Sequence, residues 1–145
     1  MRIQRLQSRR RAATALETVV VVIPVVLFMF GVFQYGRLLM DWNVLNNAAR
    51  EGCRYALVNN TSATVASDVD AVITTRMGGE KKSFTTWSVT VSGTHLGVDT
   101  PVNSLVPGDL VTVTVSGKYK FINLPIPTPI MTMTSAVTMV CEGGT

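Results

Sequence analysis

Histidine is nearly absent from this chain. His95 is the only one in 145 residues, and Cys53 and Cys141 are the only cysteines. Neither cysteine lies beside His95, and its nearest acid along the chain is Asp99. No zinc-ligand spacing, glycine-rich phosphate loop or nucleophile elbow can be assembled from these residues. Asp68 and Asp70 are two apart on an expected helix and so do not share a face. The chain is therefore expected to be no enzyme, to hold no metal and to need no cofactor. Charge is scarce as well: only 15% of residues are charged, and no acid precedes Glu17. Arg2, Arg5, Arg9, Arg10 and Arg11 stand alone at that end. The formal net charge is +4, yet beyond residue 12 the chain carries 8 basic and 9 acidic side chains, a net charge of −1. The basicity belongs to the first twelve residues, so no nucleic-acid partner is expected.

What is present is a long apolar run. Thr18 to Phe33 is 16 residues without a charge, short of the roughly 20 that cross a bilayer. Ala12 to Leu16 and Tyr35 to Met40 extend it to spanning length. Basic residues stay on the cytoplasmic side, which places the N-terminus inside and residues from about 37 onward outside. A secretory signal peptide would need a small-residue cleavage site after the run. Phe28 to Tyr35 offers only Gly31, flanked by large side chains. A plain signal anchor explains everything except Glu17, because a carboxylate costs about 2.5–3.5 kcal/mol at mid-bilayer and less near the edge. Either Glu17 snorkels to the interface or it meets a partner. Pro24, inside the run, removes the amide that would bond back to Val20 and is expected to kink the helix.

Past the membrane the helical period continues. Leu38, Trp42, Leu45, Ala49, Gly52 and Ala56 form one stripe at steps of three or four. Asp41, Asn43, Asn46, Asn47, Arg50, Glu51 and Arg54 fill the other faces, with Glu51 and Arg54 placed to pair. One helix from Ala13 to Val58 would be near 70 Å long at about 1.5 Å per residue. Val65, Val69, Val72, Ile73 and Met77 mark a second amphipathic helix, with Thr61 or Ser62 as its N-cap and Gly78-Gly79 as its stop.

Alternation then takes over. Trp87, Val89 and Val91 share a strand face, as do Val111, Val113, Val115, Tyr119 and Phe121 on a longer strand, and Met131, Met133, Val137, Met139 and Cys141 on a third. Val106-Pro107-Gly108-Asp109 suits a type II turn. The proline-rich stretch Leu124-Pro125-Ile126-Pro127-Thr128-Pro129 is expected to be a stiff extended connection, and the loop 93–109 is long for a hairpin. The fold expected is α+β: a long helix, a second helix and a three-stranded antiparallel meander. The domains expected are 1–12 as a basic leader, 13–58 as the long helix (membrane-spanning to about 40) and 59–145 as an extracytoplasmic domain. Cys53 and Cys141 would both be exported. They either close a loop of about 90 residues, worth roughly 4–5 kcal/mol in the chain-entropy model, or remain two buried thiols. The bridge is the expectation, since small exported domains commonly use one.

Two stretches resemble a known family. Phe30-Gly31-Val32-Phe33-Gln34-Tyr35-Gly36-Arg37-Leu38-Leu39 and Asn46-Asn47-Ala48-Ala49-Arg50-Glu51-Gly52-Cys53-Arg54-Tyr55-Ala56 are similar to TadE-like proteins, pseudopilins of the bacterial tight-adherence (Flp-type, type IVc) pilus machinery. The resemblance is strong over residues 9–58 and looser at Val106 to Val113 and at Glu142. It implies a minor pilin or pseudopilin cleaved by a prepilin peptidase between Ala12 and Ala13, so that Glu17 becomes the fifth residue. It also marks Gly36, Arg37, Asn47, Ala48, Arg50, Glu51 and Gly52 as a packing motif. The implied partners are the inner membrane, the peptidase, other pilins or pseudopilins and the assembly platform. The family commonly has glycine where Ala12 stands and an aromatic residue at Thr18. Cleavage would expose an amine at Ala13, one helical turn from Glu17, and Glu17 would satisfy the amine of a neighbouring subunit. The other reading is an unprocessed, membrane-anchored extracytoplasmic binding module.

Overall fold

The computed structural model describes the backbone of residues 2–121 and 131–142, with side chains from residue 15 onward within those ranges. The proline-rich connection expected at Leu124 to Pro129 lies outside the described residues. The chain divides into two compact units, Met1–Leu38 and Leu39–Thr145.

Helix α1 runs from Arg2 to Val58 as one continuous helix and holds Pro24 inside it. It begins well before Ala13, the start expected from sequence. Arginine, leucine, glutamine and alanine are strong helix formers, so the leader continues the helical backbone. The first unit is this helix alone. From Leu16 to Phe33 its large apolar side chains are all exposed, Phe28 at 73%. The helix is long and apolar enough to cross a membrane.

The second unit is α+β. Residues 39–58 of α1 are followed by α2 (Val65–Met77), a short 3-10 turn (Gly78–Ser83) and four strands: β1 (Phe84–His95), β2 (Val98–Thr100), β3 (Leu110–Tyr119) and β4 (Met131–Val140). The sheet is antiparallel in the order β2-β1-β3-β4. The expected meander of three strands thus gains a fourth. The loop from 93 onward is folded into a tight hairpin in which His95 pairs with Val98 across Leu96-Gly97. Both turn residues have positive φ (49° and 84°), the backbone a two-residue type I′ turn demands. A glycine signals such a turn, but leucine at positive φ hid it. The type II turn at 106–109 is present: Gly108 sits at φ 99° and the Asp109 N–H donates to the Val106 carbonyl at 3.1 Å.

Central strand β3 sets the core. Val111, Val113, Val115 and Tyr119 are buried, alternating with the half-exposed Thr112, Thr114 and Ser116. Val113 pairs with Val91 on one side and Val137 on the other, so the inward row runs across three strands. On β4 the inward face is Met133, Ser135, Val137 and Met139; Cys141, expected on this strand, lies buried just past its end, and Met131, expected inward, is 47% exposed at its start. Phe121, expected on β3, lies past its end and packs edge-on against Tyr119 at 5.0 Å. The outer face is a grid of small hydroxyl side chains. Ser88, Ser116 and Thr134 form one row, and Ser92, Thr112 and Thr138 another. Hydrogen bonds join Ser88 to Ser116 (2.7 Å) and Thr112 to Thr138 (2.8 Å).

Both helices bind the inward side. Val65, Val69, Ile73 and Met77 are the buried face of α2, and Leu45, Ala48, Ala49, Gly52, Cys53 and Ala56 that of α1. A Cβ at Gly52 would lie 2.7 Å from the Ile73 side chain, so glycine sets the distance between the helices. The N-cap of α2 is Thr64, not Thr61 or Ser62, and its hydroxyl donates to Asp68 at 2.8 Å. Gly78 ends the helix as expected, at φ 53°.

The two thiols are free and buried, each with its own partner, and the expected bridge is not formed. The Cys53 thiol donates to the Val111 carbonyl at 3.5 Å, and Cys141 Sγ accepts from the Asn60 amide at 3.3 Å. Burial in the core removes the need for a staple and shields both sulfurs. A thiol reagent should therefore add nothing to the folded protein in an hour and two groups after unfolding without reductant, read by intact mass.

Candidate functional site

The residues singled out by sequence separate into three places along α1. Near its start, Ala12 and Ala13 lie within the helical backbone. One turn further on, Glu17 is exposed and lines a shallow groove with Thr18, Val21 and Val22. An acid at 17 and aliphatic side chains one turn later make one helical face, polar at one end and oily beyond. Apart from Glu17, residues 15–33 carry no charge to balance it.

At the second place, Gly36 is exposed and a Cβ built on it meets nothing within 4 Å. Among the described residues, nothing packs over this glycine. Arg37 is half-exposed.

The third place lies wholly in the second unit, where the expected packing motif divides. Ala48 and Gly52 face the protein's own core, whereas Asn47 and Arg50 are exposed. Glu51 does not pair with Arg54. It reaches across to α2, where Arg76 Nη2 donates to its Oε1 at 2.9 Å. Arg76 extends from the neighbouring helix to meet it. The pair is solvent-exposed, so its contribution to stability is small. Val44, Asn47, Ala48, Glu51 and Arg76 line an open groove of about 340 Å³ between the two helices.

Several contacts escaped sequence reasoning. Asp41, expected on a solvated face, is fully buried in the second unit. It lies four residues before Leu45, on the buried stripe, and a carboxylate there gave no signal that could outweigh its usual preference for water. Ser135 donates to Asn46 Oδ1 at 2.6 Å and ties β4 to α1. Asp70 is no idle surface acid: it accepts from Trp87 Nε1 at 3.2 Å, joining α2 to β1. His95 is at the end of β1, and its Nδ1 lies 2.5 Å from Asp109 Oδ1. Positions 95 and 109 meet only because the hairpin folds back, which is why Asp99 looked nearer.

Asp109 also secures the turn beside it, its Oδ2 accepting from the Val106 N–H at 2.8 Å. That hydrogen bond, helped by His95 and opposed by burial, holds the Asp109 carboxyl below the usual carboxylate range. A lowered folded value means that the stabilisation is present above the unfolded value of about 4 and is lost as pH falls through the folded value. Asp109→Asn should therefore lower the melting temperature at neutral pH. The gap to the parent should narrow below about pH 4, as the parent carboxyl protonates. Thermal unfolding followed over a pH series checks this.

Among the described residues there is no group of three or more metal-binding side chains. The molecule is thus of the class built on one long, exposed, apolar N-terminal helix and a small α+β unit packed on that helix's last turns. Residues 12–54 match the family model of TadE-like proteins, which identifies this stretch of the chain as TadE-like. The match covers the exposed helix, Glu17, Gly36-Arg37 and the divided motif, and it ends before α2 and the sheet. Neither the curated proteins nor the solved structures contain a match.

Proposed function

We propose that this protein is a minor pilin or pseudopilin of a tight-adherence (Flp-type) pilus and acts by assembly rather than by catalysis. The observation that supports it best is the TadE-like helix itself, an exposed apolar surface of spanning length with Glu17 at its inner end. In this reading the protein sits in the bacterial inner membrane with its N-terminus in the cytoplasm and the α+β unit outside. A prepilin peptidase removes residues 1–12, and Ala13 becomes the new N-terminus. Ala12 keeps the small side chain that such a cut requires. The amine freed at Ala13 is mostly protonated at neutral pH, its reference pKa being about 7.7–8.0. Within lipid an unpaired ammonium and an unpaired carboxylate are each costly, and one offsets the other when subunits stack. Glu17 of one subunit then sets the axial register against the amine of the next. Exposed Gly36 and the half-exposed Arg37 serve neighbouring subunits, since among the described residues nothing fills the space over Gly36.

The test is intact mass and N-terminal sequencing of the protein taken from its native membrane. The expected chain begins at Ala13. A chain beginning at Met1 would defeat the pilus reading and leave a membrane-anchored binding module, for which the groove at Val44, Asn47, Ala48, Glu51 and Arg76 is the surface to probe.

A further inference from the structure

The sheet has two edges, and they are treated differently. At one edge, β1 is interrupted by a bulge between Phe84 and Thr86, and β2 covers its far end through Gly93, Thr94 and His95. Bulges and short covering strands are the usual ways of keeping an edge from pairing with another chain. At the other edge, β4 is ten residues long with no register shift, no proline and no charged side chain. Among the described residues, no strand pairs with its outer side. A row of main-chain donors and acceptors is thus left open on a flat strand rich in threonine, valine and methionine.

The sequence of β4 says what fits there. From Met131 to Met139 it is nearly palindromic about Ser135: Met131 matches Met139, Thr132 matches Thr138, Met133 matches Val137, and Thr134 matches Ala136. Facing residues in an antiparallel pair lie on the same face of the sheet. Two copies of β4 related by a two-fold axis at Ser135 therefore set methionine and valine against one another inside and threonine and alanine outside. Charge favours the same arrangement. Lys118 and Lys120 are exposed beside the Met131 end, and Glu142 is exposed past the other end. Antiparallel pairing brings each basic end toward the acidic end of the other copy; parallel pairing would set like charges together.

We propose that the outer edge of β4 pairs with β4 of a second copy of this chain, antiparallel about Ser135, giving one eight-stranded sheet with an isologous interface. The hydroxyl grid of the outer face then continues across both copies, interrupted at Ala136 of each. This surface is independent of the pilus reading: it belongs to the second unit and needs neither cleavage nor Glu17.

The test uses the full chain purified in detergent. In this register Thr134 faces Ala136 of the other copy, with Cα atoms about 4.5–5.5 Å apart and within disulfide range. Thr134→Cys protein mixed with Ala136→Cys protein should give roughly tenfold more cross-linked dimer than either alone, because like positions would lie beyond the about 7 Å limit. Thr134→Lys with Ala136→Lys sets like charges opposite one another and should leave a folded monomer whose melting temperature no longer depends on concentration, both positions being exposed within one chain. Mixing it with the corresponding double glutamate variant should restore a dimer. A parent that is monomeric at every concentration overturns the proposal, as does a dimer indifferent to the paired lysines, which would be held through the membrane helix. Hydrogen-exchange protection of the β4 amides that does not change on dilution also overturns it, since the chain's own 122–130 segment would then cover the edge.

Discussion

Glu17→Ala protein should reach the membrane in normal amounts and be cleaved, yet its incorporation into a pilus or its assembly complex should fall by about a hundredfold. Glu17 is exposed on a helix whose neighbouring side chains are aliphatic, so removing its charge disturbs nothing in the fold. In the assembled state it would leave the neighbour's amine unpaired in a medium of low dielectric. Losing one partner of a buried pair costs about 3–5 kcal/mol, and about 1.4 kcal/mol corresponds to a factor of ten. Glu17→Asp, one methylene shorter, should recover part of the loss. Quantitative immunoblotting of membrane and sheared-pilus fractions separates insertion from assembly. Normal incorporation of Glu17→Ala would mean that the carboxylate merely snorkels to the cytoplasmic interface.

A second large effect should come from widening Gly52. A Cβ alone would sit 2.7 Å from Ile73 Cδ1 and Cγ1 and 3.3 Å from Val69 Cγ1, and leucine adds three more carbons to that gap. Overpacking of a well-filled interface costs about 1–3 kcal/mol and sometimes more. The better helix propensity of leucine returns less than about 1 kcal/mol. For a unit of this size each kcal/mol moves the melting temperature by about 4–8 °C. Gly52→Leu should thus lower the melting temperature of the second unit by roughly 10–15 °C, followed through the near-ultraviolet signal of Trp42 and Trp87. Gly36→Leu is the contrast. Among the described residues nothing lies above Gly36, so the melting temperature should not change while incorporation into a fibre falls. If both substitutions proved equally destabilising, Gly36 would be a residue of the fold and not of the assembly surface.

The long helix was legible because its signals repeat: an uncharged run, then a stripe at 3.6-residue spacing from Leu38 to Ala56. Strands β1, β3 and β4 were legible for the same reason with a period of two. What stayed hidden depended on single residues acting across the chain. Leu96 at positive φ made the hairpin that became β2, and no pattern announces one leucine in an unusual conformation. Asp41 carries a charge, and charge alone argued for the surface, whereas its place on the helix put it inside. Glu51 found Arg76, 25 residues away, in preference to Arg54 nearby. The cysteines looked like a pair because there are two of them; their positions in the folded unit give each a separate polar partner. At the candidate site, two of the seven residues marked by resemblance, Ala48 and Gly52, serve the protein's own core. One sequence cannot tell residues that face inward from residues that face a neighbour when both lie on the same helix.

The tip of the β1–β2 hairpin offers a practical handle. Leu96 is 91% exposed, the turn is closed by its own two strands, and a Cβ at Gly97 meets nothing. A Leu96→Cys chain would carry one reactive thiol in a protein whose native thiols are shielded. A dye or gold particle attached there would mark each subunit under the microscope at the sheet edge opposite β4. A single bright end on a fibre would identify a cap, and regular spots along it would identify a subunit of the shaft.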